Sequence, residues 1–125
     1  MKKIFIILAA FVTMSSFSII VGLNDVVNAI KAGNAVSVSK YFDNTVEITV
    51  NGKSSNYSKA QAEVVLRDFF ANNAVKSFIV LHQGESGGSE FCIGNLSTSN
   101  GTYRTTLNLK QKGDKQTLQE IKFEK

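Results

Sequence analysis

The chain has no proline, no tryptophan, one cysteine and one histidine. A single thiol, Cys92, excludes an internal disulfide, and we expect it to be a small buried residue in a strand. The lone histidine, His82, has no acidic or thiolate partner expected on its own strand face, which excludes a metal site there. GxGxxG and Walker patterns are also missing. The sequence therefore predicts neither a metal nor a cofactor.

The basic residues are not clustered. Of the 14 Lys and Arg residues, Lys2 and Lys3 fall in the N-terminal leader, which leaves 12 against 10 Asp and Glu. The densest basic run, 110–115, is interrupted by Gly113 and Asp114 and is typical of a solvated hairpin turn. Nucleic-acid binding requires a clustered basic patch, so we expect no nucleic-acid partner.

The N-terminus has the pattern of a secretory signal. A positive start is followed by the apolar run 4–12 and by the small, polar segment 13–18. This order predicts a signal peptide over 1–18, with cleavage after Ser18 or as late as residue 22. Alternatively, residues 4–22 are uncharged and long enough to remain as an uncleaved membrane anchor. In both cases we expect 23–125 to form a single exported domain, periplasmic or extracellular, with membrane contact only if the leader is uncleaved.

Sequence patterns in the first half of this domain predict helices and a hairpin. Helical spacing predicts helices over 23–32, capped by Asn24 or Asp25, and over 35–42, capped by Asn34. Alternation over 45–50 predicts a strand, and Asn51-Gly52 predicts a tight hairpin returning over 53–57. Ser58 then begins a capping box for a longer helix, which we expect to end near residue 73.

Sequence patterns in the second half of the domain predict strands. Four strand patterns follow in series, joined by short polar connections. Short connections favour an antiparallel meander of neighbouring strands. The predicted strands are 77–84, 90–97, 102–110 and 117–124.

This order of elements resembles the cone-shaped α+β domain of the nuclear-transport-factor-2-like superfamily, whose N-terminal helices pack on a curved antiparallel sheet. The stretch 29–42 is similar to its opening helix pair, and 57–70 to its main helix. More narrowly, the chain resembles a family of exported bacterial proteins catalogued as domain-of-unknown-function family 4783. That likeness is carried by Ala60–Glu63, Leu66–Phe70, His82–Gly84, Phe91–Gly94 and Thr98–Arg104.

The resemblance implies a pocket at the open end of the cone. Strand alternation places on the inner face a candidate pocket set of six residues, provided that no bulge shifts the register. These are His82, Asn95, Tyr103, Thr105, Phe78 and Phe91. No Asp or Glu falls on this face, so the carboxylate base of ketosteroid-isomerase-type enzymes is missing unless His82 replaces it.

The outer face is more apolar than a solvated face. Alternation places four apolar residues there, and such a cluster suggests an interface. They are Ile79, Leu81, Cys92 and Leu96. Because pairing through the sheet is common in the superfamily, the resemblance also implies a homodimer.

Three functional hypotheses follow. The first, which we favour, is a non-enzymatic module that binds a small apolar ligand in the cone or another protein. The second is a small isomerase-like enzyme using His82 and Tyr103. The third is a structural dimer with a filled cone. The superfamily hosts all these classes, so the fold does not choose between them.

Overall fold

The computed structural model describes residues 22–125. The predicted leader and its cleavage after Ser18 lie outside these residues. Within 22–125, no helix is both long and apolar enough to cross a bilayer.

Two short helices, α1 (Leu23–Lys31) and α2 (Ala35–Ser39), begin the domain. Asn34 caps α2 as predicted, because its Oδ1 accepts a hydrogen bond from the backbone N–H of Ser37 at 3.1 Å. The predicted cap of α1 was wrong, since α1 begins after Gly22 without a side-chain cap.

The second helix is shorter than predicted. It ends at Ser39 instead of extending to Phe42. Phe42 begins the first strand, where it pairs with Leu118 and is buried. Burial in the sheet therefore overrides the helical pattern, and Val36, expected on a buried face, is half exposed.

The hairpin and the long helix follow the sequence closely. Strands β1 (Phe42–Val50) and β2 (Lys53–Ser58) are joined by Asn51 and Gly52, which both have positive φ, as a type I′ turn requires. Helix α3 spans Lys59–Asn72. Its first turn is capped by Ser58, whose Oγ accepts from the N–H of Gln61 at 3.3 Å.

The four remaining strands form the predicted antiparallel meander. Their bounds are β3 (Val75–Ser86), β4 (Ser89–Thr98), β5 (Gly101–Lys112) and β6 (Lys115–Glu124). The sheet order is β2-β1-β6-β5-β4-β3, and only the β1–β6 pair is parallel. Strand β3 is therefore an edge strand.

All three helices contribute to one hydrophobic core with the sheet. The core includes fully buried Val26 and Ile30 of α1 and Leu66 of α3, together with strand residues such as Ile121 and Phe123. We call this helix-covered side of the sheet the inner face and the opposite side the outer face. The observed architecture is α+β, with helices packed on a curved, mostly antiparallel sheet.

Candidate functional site

Three of the six predicted pocket residues lie on the inner face. Directly opposed residues of antiparallel strands project to the same side of a sheet. Leu96 opposes both Phe78 and Tyr103, while Gly94 opposes Thr105. Phe78, Tyr103 and Thr105 are accordingly buried, with 3%, 5% and 0% of their surface exposed.

The predicted face of β4 was wrong by one residue. Cys92 and Leu96 were expected outside, but both are fully buried in the core. Phe91 and Asn95 were expected inside, but they lie on the outer face, where Asn95 opposes Arg104. Apolar residues occur on both faces of this strand, so alternation alone did not determine which face is buried.

His82 also lies on the outer face, because β3 contains a bulge at Leu81. The register passes from Val80 opposite Gly94 to His82 opposite Ile93, which leaves Leu81 as the extra residue. A bulge of one residue reverses the face of every side chain after it. The His82 ring consequently lies beside Phe91, with ring centroids 5.4 Å apart.

The Tyr103 hydroxyl has a structural role. It donates a hydrogen bond to Oδ1 of Asn73 at 3.0 Å, while Asn73 Nδ2 donates to the carbonyl of Phe69 at 2.9 Å. Asn100 adds a second donor to Asn73 Oδ1 at 3.2 Å. No local sequence pattern indicated this network, since its members are distant in the chain. The network connects Asn73, which directly follows α3, to β5 and to the β4–β5 turn.

Two phenylalanine rings pack against Tyr103 in the core. Phe69 and Phe123 stack with centroids 4.0 Å apart, and Tyr103 meets Phe69 edge-on at 5.1 Å. Thr105 donates its hydroxyl to the carbonyl of Tyr103 at 3.2 Å. The predicted pocket set is therefore not brought together: half of it is packed in the core and half lies on the other side of the sheet.

Removing the Tyr103 hydroxyl should destabilise the fold. In Tyr103→Phe, the buried Oδ1 of Asn73 loses one donor but keeps Asn100. We expect the free energy of unfolding to fall by about 1–2 kcal/mol, measured by urea denaturation. Tyr57→Phe, at a half-buried β2 position, is the control and should change stability by less than about 0.5 kcal/mol. An unchanged stability of Tyr103→Phe would refute the role of the network.

The thiol of Cys92 lies in the core. Burial raises the pKa of the Cys92 thiol, which disfavours the reactive thiolate. Among residues 22–125, no group of three or more His, Cys, Asp or Glu side chains is arranged to hold a metal ion.

The outer face carries an exposed apolar surface instead. Ile79 and Leu81 of β3 are the most exposed large hydrophobic residues described, at 60% and 53%. Half-buried residues of β4 and the His82 ring extend this surface. We call it the outer apolar patch; it consists of Ile79, Leu81, His82, Phe91 and Ile93.

Fold and comparisons agree on the class of protein. Helices packed on a curved, mostly antiparallel sheet of this order define the NTF2-like (nuclear-transport-factor-2-like) α+β fold. An NTF2-like protein of unknown function from Cytophaga hutchinsonii is similar in fold alone, with 9% identity and a TM-score of 0.58 over 79% of this chain and 81% of that one.

The family follows from closer matches. A family model described as a domain of unknown function (DUF4783) matches residues 23–124. DUF4783 family crystal structures from Bacteroides ovatus and Bacteroides uniformis are each 34% identical to this chain. Their TM-scores are 0.81 and 0.79, over 83% and 82% of this chain and 94% of each of theirs. A search of curated proteins finds no significant match. The chain belongs to the DUF4783 family.

Proposed function

We propose that this domain is a non-enzymatic interaction module that pairs with a second copy of itself through the outer apolar patch. The observation that carries the proposal is the exposure of Ile79 and Leu81 on a sheet face that no described helix covers. Contiguous exposed apolar surface is uncommon on monomeric proteins and usually marks an interaction site.

The inner face argues against a ligand in the cone and against the isomerase hypothesis. Tyr103 and Thr105 are buried in the core, and their hydroxyl groups already donate to partners within the fold. An isomerase using His82 and Tyr103 would need both side chains at one substrate, and the sheet separates them. A candidate base must lie within hydrogen-bond reach of the reacting proton.

The composition of the outer apolar patch favours a second copy as the occupant. None of its five residues is Asp, Glu, Lys or Arg. Two copies can therefore place identical patches against each other without opposing like charges. A two-fold axis near Leu81 would pack the patch of each copy on that of the other. A symmetric dimer interface must be self-complementary in this way.

The bulge favours pairing through the face of the sheet. An unmodified edge strand offers its backbone for continuation of the sheet by another chain. The extra residue at Leu81 breaks the regular spacing of the backbone groups along β3 and bends the strand. Two copies would therefore meet patch to patch, with Ile79 and Leu81 near the axis.

The mass in solution tests this proposal. We expect sedimentation equilibrium of the wild-type protein at micromolar concentration to give the mass of a dimer. Leu81→Lys places a charge in the centre of the interface and should weaken pairing at least about 30-fold. Val64→Lys introduces the same charge at an equally exposed valine of α3 and should leave the dimer intact. A monomeric wild-type protein, or a Leu81→Lys variant that dimerises like the wild type, would contradict the proposal.

A further inference from the structure

The edge strand β2 has one side that pairs with no other strand of the described chain. In the sheet order β2-β1-β6-β5-β4-β3 it pairs only with β1, and its register over Lys53–Ser58 has no irregularity. The opposite edge strand, β3, carries the bulge at Leu81. A regular edge strand such as β2 can therefore accept a further strand from another chain.

The hairpin register identifies the backbone groups of β2 that face outwards. Lys53 follows the two-residue turn, so it forms a hydrogen-bonded pair with Val50. Hydrogen-bonded and non-hydrogen-bonded pairs alternate along an antiparallel ladder. Ser54 and Asn56 consequently direct their N–H and C=O groups away from β1. Among residues 22–125 these groups have no other backbone partner.

An apolar groove lies beside this edge, between β2 and α3. It has a volume of about 390 Å³, and its lining residues are Tyr57, Ala60, Gln61, Val64 and Val65. Tyr57 opposes the buried Val46, so its side chain lies on the inner face of the sheet. Val64 is 48% exposed. Because side chains alternate along a strand, every second side chain of an added strand would lie on the side of this groove.

The charges at the two ends of β2 indicate the chemistry of the partner. Lys53 begins the strand and Lys59 directly follows it, and both are exposed and form no salt bridge within the described chain. Lys59 also lines a cleft of about 440 Å³ together with Lys40 and Lys115, and Asp114 is the only acidic residue of that lining. Acidic residues on either side of an added strand would complement these charges.

The carboxylates closest in sequence and register to this edge already have partners. Glu47 of β1 accepts a hydrogen bond from the hydroxyl of Ser54. Glu63, one turn after Lys59 in α3, pairs with Arg67 at 3.0 Å and accepts from the hydroxyl of Ser39 at 3.0 Å. Neither carboxylate forms a salt bridge with a lysine at the ends of β2.

We propose that β2 binds an extended peptide segment of a partner protein, which adds to the sheet as a further strand. Apolar side chains at alternate positions of the segment enter the groove beside Val64, and flanking acidic residues meet Lys53 and Lys59. Main-chain hydrogen bonds supply affinity in this mode of binding, and the groove supplies selectivity. This surface lies at the opposite edge of the sheet from β3 and the outer apolar patch.

A second copy of β2 is a poorer occupant than an acidic segment. In an antiparallel pair, the start of each strand lies beside the end of the other. Pairing of two copies would therefore bring Lys53 of one towards Lys59 of the other, and like charges in that arrangement disfavour association.

Titration with a synthetic peptide tests the proposal on the protein as isolated from cells that express the full chain. The probe is acetylated and amidated, with Val and Thr alternating between two Glu residues at each end. We expect saturable NMR shifts of the backbone amides of Ser54 and Asn56, with half-saturation below about 1 mM. The same peptide with Lys in place of Glu should bind at least about tenfold more weakly.

Methylation of the peptide nitrogens tests for a backbone ladder. A strand added to an edge bonds through alternate amides only, and its other amides face solvent. One probe is methylated on every Val nitrogen and a second on every Thr nitrogen. Only one of the two should retain binding, and the same affinity for both would contradict pairing with β2.

Two variants of the protein localise the site. Asn56→Pro removes an outward-facing N–H at a position where edge strands accept proline, and it should weaken binding at least about tenfold. Val64→Gln removes apolar surface from the groove and should weaken binding about fivefold. Val36→Gln, at a similarly exposed valine of α2, should leave the affinity unchanged. Urea denaturation identifies which variants are folded. Absence of saturation with the wild type, or wild-type affinity in either folded site variant, would overturn the proposal.

Discussion

Phe123→Ala is expected to lower the free energy of unfolding by about 3–5 kcal/mol, the largest effect of any single change considered for this domain. Phe123 is fully buried in β6. Its ring stacks on Phe69 at 4.0 Å and meets Tyr103 edge-on at 6.4 Å. Truncation removes these contacts and leaves a cavity between α3 and the sheet that the surrounding backbone cannot close.

Thermal and urea unfolding measure this loss. For a domain of this size, we expect the Tm to fall by more than about 12 °C. Phe91→Ala is the matched control, since Phe91 is a half-buried phenylalanine on the outer face. Both variants are measured in a Leu81→Lys background, so that pairing does not contribute to stability. Equal losses in the two variants would show that the Phe123 cluster is not the centre of the core.

The second large effect is expected at Gly94. A Cβ there would lie 2.6 Å from the backbone carbonyl oxygen of Ile79 and 2.7 Å from Cε1 of Phe78. The carbonyl belongs to the neighbouring strand, so β3 would have to move away from β4. We expect Gly94→Ala to cost about 1–3 kcal/mol, as overpacking of a close contact does.

Gly84→Ala provides the comparison for Gly94→Ala. Its Cβ would also be crowded, at 2.5 Å from Cε1 of Phe91, but that ring lies on the open outer face and can turn away. Neither glycine has a positive φ, so the two substitutions differ in what the new methyl group meets. Urea denaturation should show a clearly smaller loss for Gly84→Ala. A Gly94→Ala variant as stable as the wild type would contradict the close approach of β3 and β4 at this position.

Much of the fold could be predicted because local chemistry specified it. Asn51-Gly52 predicted a hairpin, and both residues take the positive φ of its turn. The side chain of Ser58 predicted the start of α3 and makes the expected cap. Each of these features depends on a few neighbouring residues, which a single sequence contains in full.

The face of β4 could have been corrected from its hairpin with β5. A two-residue turn at 99–100 pairs Thr98 with Gly101, and continuing that register places Leu96 opposite Tyr103. Directly opposed residues share a face, so Leu96 and Tyr103 could not have been on different sides. The turn length therefore contained the information that the alternation of apolar residues lacked.

The local sequence pattern of β3 did not indicate the face of the sheet on which His82 lies. The bulge at Leu81 depends on how β3 pairs with β4, and nothing within β3 marks it. The Asn73–Tyr103 hydrogen bond likewise joins residues that meet only in the folded chain. These two long-range features place His82 on the outer face and tie the Tyr103 hydroxyl to Asn73, so the predicted pocket residues are not brought together. They explain why the fold was easier to predict than the site.

Disulfide trapping at position 81 tests the central claim most directly, namely that two copies pair through the outer apolar patch. The lone Cys92 is fully buried, so Leu81→Cys introduces the only accessible thiol in the described chain. Because position 81 lies near the proposed two-fold axis, the two thiols should come within bonding distance. Val36→Cys, at a similarly exposed residue of α2, is the control. Under mild oxidation, we predict that Leu81→Cys forms a covalent dimer rapidly while Val36→Cys remains monomeric, and equal rates for the two variants would contradict the account.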